Sequence, residues 1–191
     1  MNRSILKERL RAEVLERRRL MAFEAVYEAS VRVQKAFLGS EEYGQSSCMS
    51  LYSSFRNEVL TDEIFHAAIA SGREVFYPRV VRGLLRRLEF FRVTHLGELS
   101  PGSYEIPEPC GGEVKGEPGA LDLVVVPGAA FDHKGGRLGY GKGYYDHALS
   151  GLSCRVVALA YDFQVIDGEL PMEEHDVRVS AIVTETRIIK V

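Results

Sequence analysis

With 191 residues, 46% of them hydrophobic and 27% charged, the chain is sized for a single domain spanning 1–191 with a substantial core, and its composition excludes disorder. A net charge of −3 argues against a surface that is basic throughout, as a nucleic-acid binder would present. Cys48, Cys110 and Cys154 are scattered and form no Cys-x-x-Cys pair, which argues against a disulfide framework or a zinc site.

The chain opens without an apolar leader. No run approaches the roughly 20 apolar residues of a membrane helix, so a cytoplasmic protein without membrane attachment is expected. Residues 3–23 read as a helix, because Leu6, Leu10 and Val14 recur at spacing four among Arg and Glu. A second helix follows over 24–38, carrying Val26, Val31, Val33 and Phe37 and stopping near Gly39. Within residues 1–35 nine Lys/Arg stand against five Glu; such a bias reads first as a solvated helix face and second as a contact with an anion. The stretch CMSLYSSF, 48–55, predicts a strand. TDEIFHAAIASG, 61–72, predicts a helix with Thr61 as its N-cap, acids in the first turn and a glycine stop. REVFYP, 73–78, predicts a strand closed by Pro78, and residues 84–93 predict another. Residues 98–119 are rich in proline and glycine and predict a long irregular loop, of the kind that is functional or mobile in a compact domain. LDLVVVPG, 121–128, is a continuous apolar run between turn residues, as expected of a central parallel strand buried on both faces. A glycine-rich stretch comes next, then a helix over Tyr144–Leu149, then strands in CRVVALAY, 154–161, and SAIVTET, 180–186. Strands alternating with helices predict an α/β fold, with a mainly parallel central sheet flanked by helices in Rossmann-like layering.

The segment GRLGYGKGYYDH, 136–147, carries the chemistry. Gly136 and Gly141-Lys142 have the spacing of a P-loop, but Gly143 stands where a Ser or Thr hydroxyl would hold magnesium. A dinucleotide fingerprint starting at Gly139 would need glycine at Tyr144. The setting is still that of a phosphate site: a buried strand ends at Pro127-Gly128, a glycine-rich loop follows, and a helix begins. Gly139, Gly141 and Gly143 alternate, so backbone N–H groups can turn inward as an anion nest. The helix N-terminus adds partial positive charge, and Arg137 and Lys142 supply full charges. Asp146 offers a carboxylate beside the same phosphates, a ligand that magnesium takes together with phosphate oxygens and water. Glycines alone would fit a plain surface loop; with Arg, Lys, two Tyr and Asp interleaved, an anion site is the better reading. The five histidines, His66 and His147 among them, form no metal pattern.

The stretch VVVPGAAFDHKGGRLGYGKGYYDHAL, 124–149, resembles the signature of the 5-formyltetrahydrofolate cyclo-ligase family. KERLR, 7–11, NEVLTDEI, 57–64, FYPRV, 76–80, IPEP, 106–109, and HDVRVSAIVTET, 175–186, resemble further family segments in the expected order. The resemblance implies an enzyme that uses ATP to close 5-formyltetrahydrofolate to 5,10-methenyltetrahydrofolate, with release of ADP and phosphate. It implies ATP contacts at Lys7, Arg11, Arg137, Leu138, Gly139, Tyr140, Gly141, Lys142, Gly143, Tyr144 and Tyr145. Folate contacts are implied at Ser53, Glu58, Tyr140, Gly141, Lys142, Gly143 and Tyr144, with Glu58 placed at a strand end. Lys142, Arg137 and Tyr144 are the implied catalytic groups, and Asp146 and Asp176 the implied magnesium ligands. Lys7 and Arg11 lie one turn apart on one helix face and so can reach the same triphosphate. The partners expected are reduced folate and ATP, with no nucleic acid and no membrane, for a monomer or else a dimer. Two positions depart from the family pattern: Glu105, where glycine is usual, and Ala129-Ala130, which replace a bulkier pair. The alternatives are a non-catalytic folate- or nucleotide-binding relative and a nucleic-acid module built on the basic helix and the Arg79–Arg92 stretch. The second would call for interleaved exposed aromatics, which the sequence does not offer.

Overall fold

The structure, a computed structural model, describes residues 3–81, 83, 87–111 and 118–191. Its centre is the strand Leu123–Val126 (β6), buried at every residue as the apolar run predicts. Cys48–Ser50 (β1) and then Glu74–Val81 (β2) lie parallel to it on one side; Arg155–Leu159 (β9) and then Ala181–Val183 (β11) lie parallel on the other. Arg87–Arg92 (β3) and Ile188–Lys190 (β12) close the two edges antiparallel, giving a seven-stranded sheet among the described residues.

Alternation along the buried strands sorts the core into two layers. Leu123 and Val125 point to one face with Met49, Leu51, Val157 and Val183, covered by the helices Phe23–Leu38 (α2) and Asp62–Ala70 (α4) and by Tyr43 of the short helix Glu41–Gly44 (α3). Val124 and Val126 point to the other face with Phe76, Val156 and Ile182, covered by Tyr144–Leu149 (α5). Helices on both faces and a sheet order that departs in opposite directions from β1 and β6 put a topological switch point between those two strands. That is the α/β layering the alternation predicts.

Several boundaries differ from expectation for identifiable reasons. The first helix, Arg3–Arg19 (α1), stops before residue 23, because Asn57 Nδ2 donates to the carbonyls of Arg18 (3.0 Å) and Met21 (3.2 Å). The Arg18 acceptor of the last turn, and the Met21 carbonyl just past it, are thus satisfied from a distant segment. The expected strand 48–55 ends at Ser50. Beyond Leu51 the chain leaves the sheet, tied by Tyr52 Oη donating to Val59 O and Thr61 Oγ1 donating to Tyr52 O. Thr61 therefore spends its hydroxyl on Tyr52 rather than capping α4, and Gln34 Oε1 accepts from Glu63 N instead. Strand β2 runs through Pro78. Its pairing with β1 ends at Phe76, so the proline falls where the strand has one neighbour only.

In the segment expected to be irregular, Leu99–Pro101 (β4) and Pro107–Pro109 (β5) pair antiparallel, while residues 112–117 lie outside the described residues. Residues 84–86 of the expected strand 84–93 also lie outside them. A short second sheet, unanticipated from the sequence, joins Val165–Ile166 (β10), Ala130–Asp132 (β7) and Arg137–Leu138 (β8). Against it packs α1, through Leu10 and Val14 on Ala130, Leu138 and Leu170. No helix among the described residues is long and apolar enough to cross a membrane.

Candidate active site

A cleft of about 560 Å³ opens beyond the carboxyl ends of β1, β2 and β6, at the switch point. Every residue that the resemblance assigns to ATP, folate, catalysis or magnesium lines it. One end is cationic and glycine-rich, and the other is apolar, walled by Pro78, Val80, Leu88, Ile106 and Pro107.

The cationic end is assembled by α1 and the glycine loop. Lys7, Arg11, Val14 and Arg18 recur at spacings of four, three and four and share one face of α1, where Val14 anchors the helix to the small sheet. Arg11 Nε donates to Gly139 O at 2.8 Å. Its guanidinium lies so close to Gly141 that an added Cβ would sit 3.3 Å from Arg11 Cζ. Gly141 and Gly143 both take left-handed backbone (φ 86 and 70), and Gly143 is the residue from which α5 starts. The loop is braced from below: Asp132, 1% exposed, accepts from Lys134 N, Gly136 N and Leu170 N, and Gln164 Nε2 donates to Gly128 O and Ala129 O. Ala129 and Ala130 are fully buried beneath it.

Ion pairs hold the charges at this end. Arg137 Nη2 donates to Asp146 Oδ1 at 2.7 Å, and Val177 N donates to the same oxygen at 3.3 Å. Arg137 is buried, and its Nε has no hydrogen-bond partner among the described residues. Lys7 Nζ donates to Asp176 Oδ2 (3.0 Å) and Glu173 Oε1 (3.1 Å). Burial lowers the affinity of Lys7 for its proton, but the bonds to Asp176 and Glu173 outweigh this and hold its pKa above the usual lysine value. Burial raises that of Asp176, yet the Glu173 N–H and Lys7 outweigh it and hold the carboxyl below its ordinary range. No group of three or more His, Cys, Asp or Glu able to cage a metal exists among the described residues. Asp146 and Asp176 nonetheless supply hard oxygen donors beside the glycine loop, the donor set that fits magnesium arriving on a nucleotide.

Towards the apolar end stands Glu58, in a loop rather than at a strand end and only 5% exposed. It accepts from Tyr140 Oη (2.8 Å, Oε1) and Phe55 N (3.1 Å, Oε2), and Arg18 Nη1 lies 3.8 Å from Oε1. Burial pushes its pKa up to about 7 against the opposing pull of Arg18, Tyr140 and the Phe55 N–H. Burial, followed by the Glu58 charge, also pushes the Tyr140 phenol upward.

The predicted residues differ in what they can offer. Ser53 donates its hydroxyl to Pro107 O (2.6 Å), which ties the loop after β1 to β5. The Leu138 side chain belongs to the small core under α1, leaving its backbone to the cleft. Tyr145 packs against the second core layer beneath the Arg137 guanidinium, whereas Tyr144 meets Tyr104 edge-on, with their hydroxyls 3.4 Å apart. Sequence reasoning missed Arg18, Tyr104, Asp132 and Gln164. Only Arg18 left a signal, standing 11 positions, about three turns, beyond Lys7.

A sequence model of the 5-formyltetrahydrofolate cyclo-ligase family matches residues 3–185. The mouse protein named 5-formyltetrahydrofolate cyclo-ligase is 31% identical, over 94% of this chain and 93% of that protein. The protein of that name from Escherichia coli K12 is 26% identical over 92% and 98% respectively. The solved structure of 5,10-methenyltetrahydrofolate synthetase from Aquifex aeolicus superposes with a TM-score of 0.83 at 32% identity, covering 97% of this chain and 92% of that one.

Proposed function

The chain belongs to the 5-formyltetrahydrofolate cyclo-ligase family, and from that premise we propose that its cleft closes 5-formyltetrahydrofolate to 5,10-methenyltetrahydrofolate at the expense of ATP. One observation carries the reading: a glycine nest with buried and half-buried cations occupies one end of the cleft, and a buried carboxylate beside an apolar arm lies towards the other.

The chemistry explains why both ends are needed. A formamide carbon is a poor electrophile and its oxygen a poor leaving group. Transfer of the γ-phosphoryl group to the formyl oxygen breaks the bond to ADP and makes that oxygen part of a good leaving group. N10 then attacks the formyl carbon, loses its proton, and phosphate departs with the former formyl oxygen. Little covalent work falls to the protein, whose tasks are positioning and charge neutralisation.

In this reading the backbone of residues 139–143, with Arg137, Lys142, Lys7 and Arg11, binds the triphosphate, and the orphaned buried Nε of Arg137 supports an anion there. Asp146 and Asp176 would hold magnesium, which supplies charge neutralisation at the phosphates. Tyr144 and Tyr140 border both substrates, and the folate ring system lies along the apolar arm. Glu58, with a pKa of about 7, is suited to orient the folate and to accept a proton near neutrality. The three free cysteines support a reducing, cytoplasmic setting.

The test is absorbance in the methenyl-folate band after mixing protein, 5-formyltetrahydrofolate, ATP and magnesium. Product that requires both ATP and magnesium, and is lost in Lys142→Ala and Asp146→Ala, supports the assignment. A folded protein that binds ATP but forms no product would point instead to a non-catalytic relative.

A further inference from the structure

Arg18 belongs to a run of three arginines at the end of α1, yet it is 2% exposed. Its guanidinium joins separate parts of the cleft. Nε donates to Arg56 O (3.1 Å), Nη1 donates to Gly128 O (3.2 Å) at the end of the central strand, and Nη2 donates to the Tyr140 hydroxyl of the glycine loop. Tyr140 Oη in turn donates to Glu58 Oε1, and Arg18 Nη1 stands 3.8 Å from the same oxygen.

The segment that delivers Glu58 is itself costly to hold. Arg56 and Asn57 take left-handed backbone (φ 48 and 60), a shape non-glycine residues keep only when their surroundings enforce it. The enforcement comes from α1: Arg18 grips the Arg56 carbonyl, and Asn57 Nδ2 reaches back to the carbonyls of Arg18 and Met21.

We propose that Arg18 is a positioning residue for the cyclisation, fixing the Glu58 carboxylate and the Tyr140 hydroxyl relative to each other so that the folate end and the phosphate loop form one rigid frame. This rests on the folate role given to Glu58 above. The groups that face Glu58 are Arg18 from α1, Tyr140 from the glycine loop, Tyr52 after β1, Tyr145 from α5 and Tyr161 after β9. Arg18 is the one cation in this set. It therefore also favours the ionised carboxylate against burial.

The experiment uses the full chain with Arg18→Met, Arg18→Lys, Glu58→Gln and the Arg18→Met/Glu58→Gln double variant. Turnover is followed by methenyl-folate absorbance across about pH 5–9, with ATP affinity measured by calorimetry. In the wild type, kcat/KM for the folate rises along an acid limb near the Glu58 pKa of about 7. Arg18→Met moves this limb up by about 1–3 pH units and raises the folate KM, with a smaller loss of ATP affinity. Arg18→Lys keeps the limb but raises the folate KM, because one ammonium cannot span all the sites that the guanidinium bonds. Glu58→Gln removes the limb, and adding Arg18→Met to it costs little more, as expected of two residues acting through each other.

An unmoved limb in Arg18→Met with additive losses in the double variant overturns the proposal. If Arg18→Met does not fold, Arg18→Lys decides: a raised folate KM with an unmoved limb supports the proposal, and wild-type parameters overturn it. Absence of turnover in the wild type itself would overturn the folate reading beneath it, whereas wild-type turnover with an indifferent Arg18 overturns this inference alone.

Discussion

Lys7 and Asp176, 169 positions apart in the chain, meet at 3.0 Å, and Arg137 and Asp146 meet in the same cleft at 2.7 Å. Each carboxylate assigned to magnesium is thus neutralised by a cation assigned to phosphate. The pairs keep four charges in a half-buried site without leaving any of them uncompensated. Arrival of a magnesium-bound nucleotide offers every group a new partner of the right sign: carboxylates to metal, cations to phosphate. Neither ligand alone can satisfy both halves of that exchange.

Metal and nucleotide should therefore bind cooperatively. In calorimetry, magnesium alone is expected to give weak binding, and ATP affinity should rise at least about tenfold when magnesium is added, a coupling of ordinary size. Asp146→Asn and Asp176→Asn should abolish that gain. Lys7→Met should weaken ATP about 10- to 150-fold, the worth of a charge-assisted hydrogen bond. An unchanged ATP affinity in Lys7→Met would remove the α1 face from the nucleotide site.

Glu58 makes a prediction about stability that needs no substrate. Its carboxyl in the folded chain titrates near 7, above its ordinary value, so folding favours the protonated form. The stability this contributes is complete below the unfolded-chain pKa and is lost as pH rises through about 7. Glu58→Gln, which cannot ionise, should exceed the wild type by only about 1 kcal/mol near pH 5 and by about 3 kcal/mol well above neutrality. Denaturant melts at the two pH values check this, and an equal difference at both would show that Glu58 is not the titrating group.

The two left-handed glycines of the nest should respond differently to alanine. A Cβ on Gly143 meets nothing within 4 Å, so Gly143→Ala carries only the backbone cost, about 1–2 kcal/mol of stability. A Cβ on Gly141 carries that cost and also crowds the Arg11 guanidinium at 3.3 Å, moving a cation assigned to phosphate. Both variants should melt earlier by similar amounts, but Gly141→Ala should lose more ATP affinity. Equal ATP affinities in the two would detach Arg11 from the nucleotide.

What was legible in the sequence follows from how locally each feature is specified. LVVV, 123–126, announces a doubly buried strand by composition alone, and the glycines at 139, 141 and 143 announce a nest by spacing. Lys7 and Arg11 were legible through their motif. Arg18 was legible only in part: its place three turns beyond Lys7 puts it on the same helix face, but its burial is decided by Gly128, Arg56 and Tyr140, which arrive from elsewhere in the chain. The same holds for the end of α1, set by Asn57, and for the loop at 51–60. Left-handed backbone at Arg56 and Asn57 carries no glycine to mark it, so the apolar run before it read as a continuing strand.

Glu105 tests that last point directly. It is exposed and holds φ 63, next to Tyr104 at φ 60, where the hairpin between β4 and β5 turns to bring Tyr104 against Tyr144. Glycine would hold this shape without a Cβ penalty. Glu105→Gly should relieve about 1–2 kcal/mol of backbone cost and give back up to about 1 kcal/mol through the greater freedom of the unfolded chain. The balance is a gain of about 0.5–1 kcal/mol, a rise in Tm of about 1–4 °C for a chain of this size. Glu105→Ala is the control: it keeps the Cβ, and with it the cost, so its Tm should stay with the wild type. A gain in Glu105→Ala equal to that in Glu105→Gly would mean that the glutamate side chain, and not its backbone, is what the turn tolerates poorly.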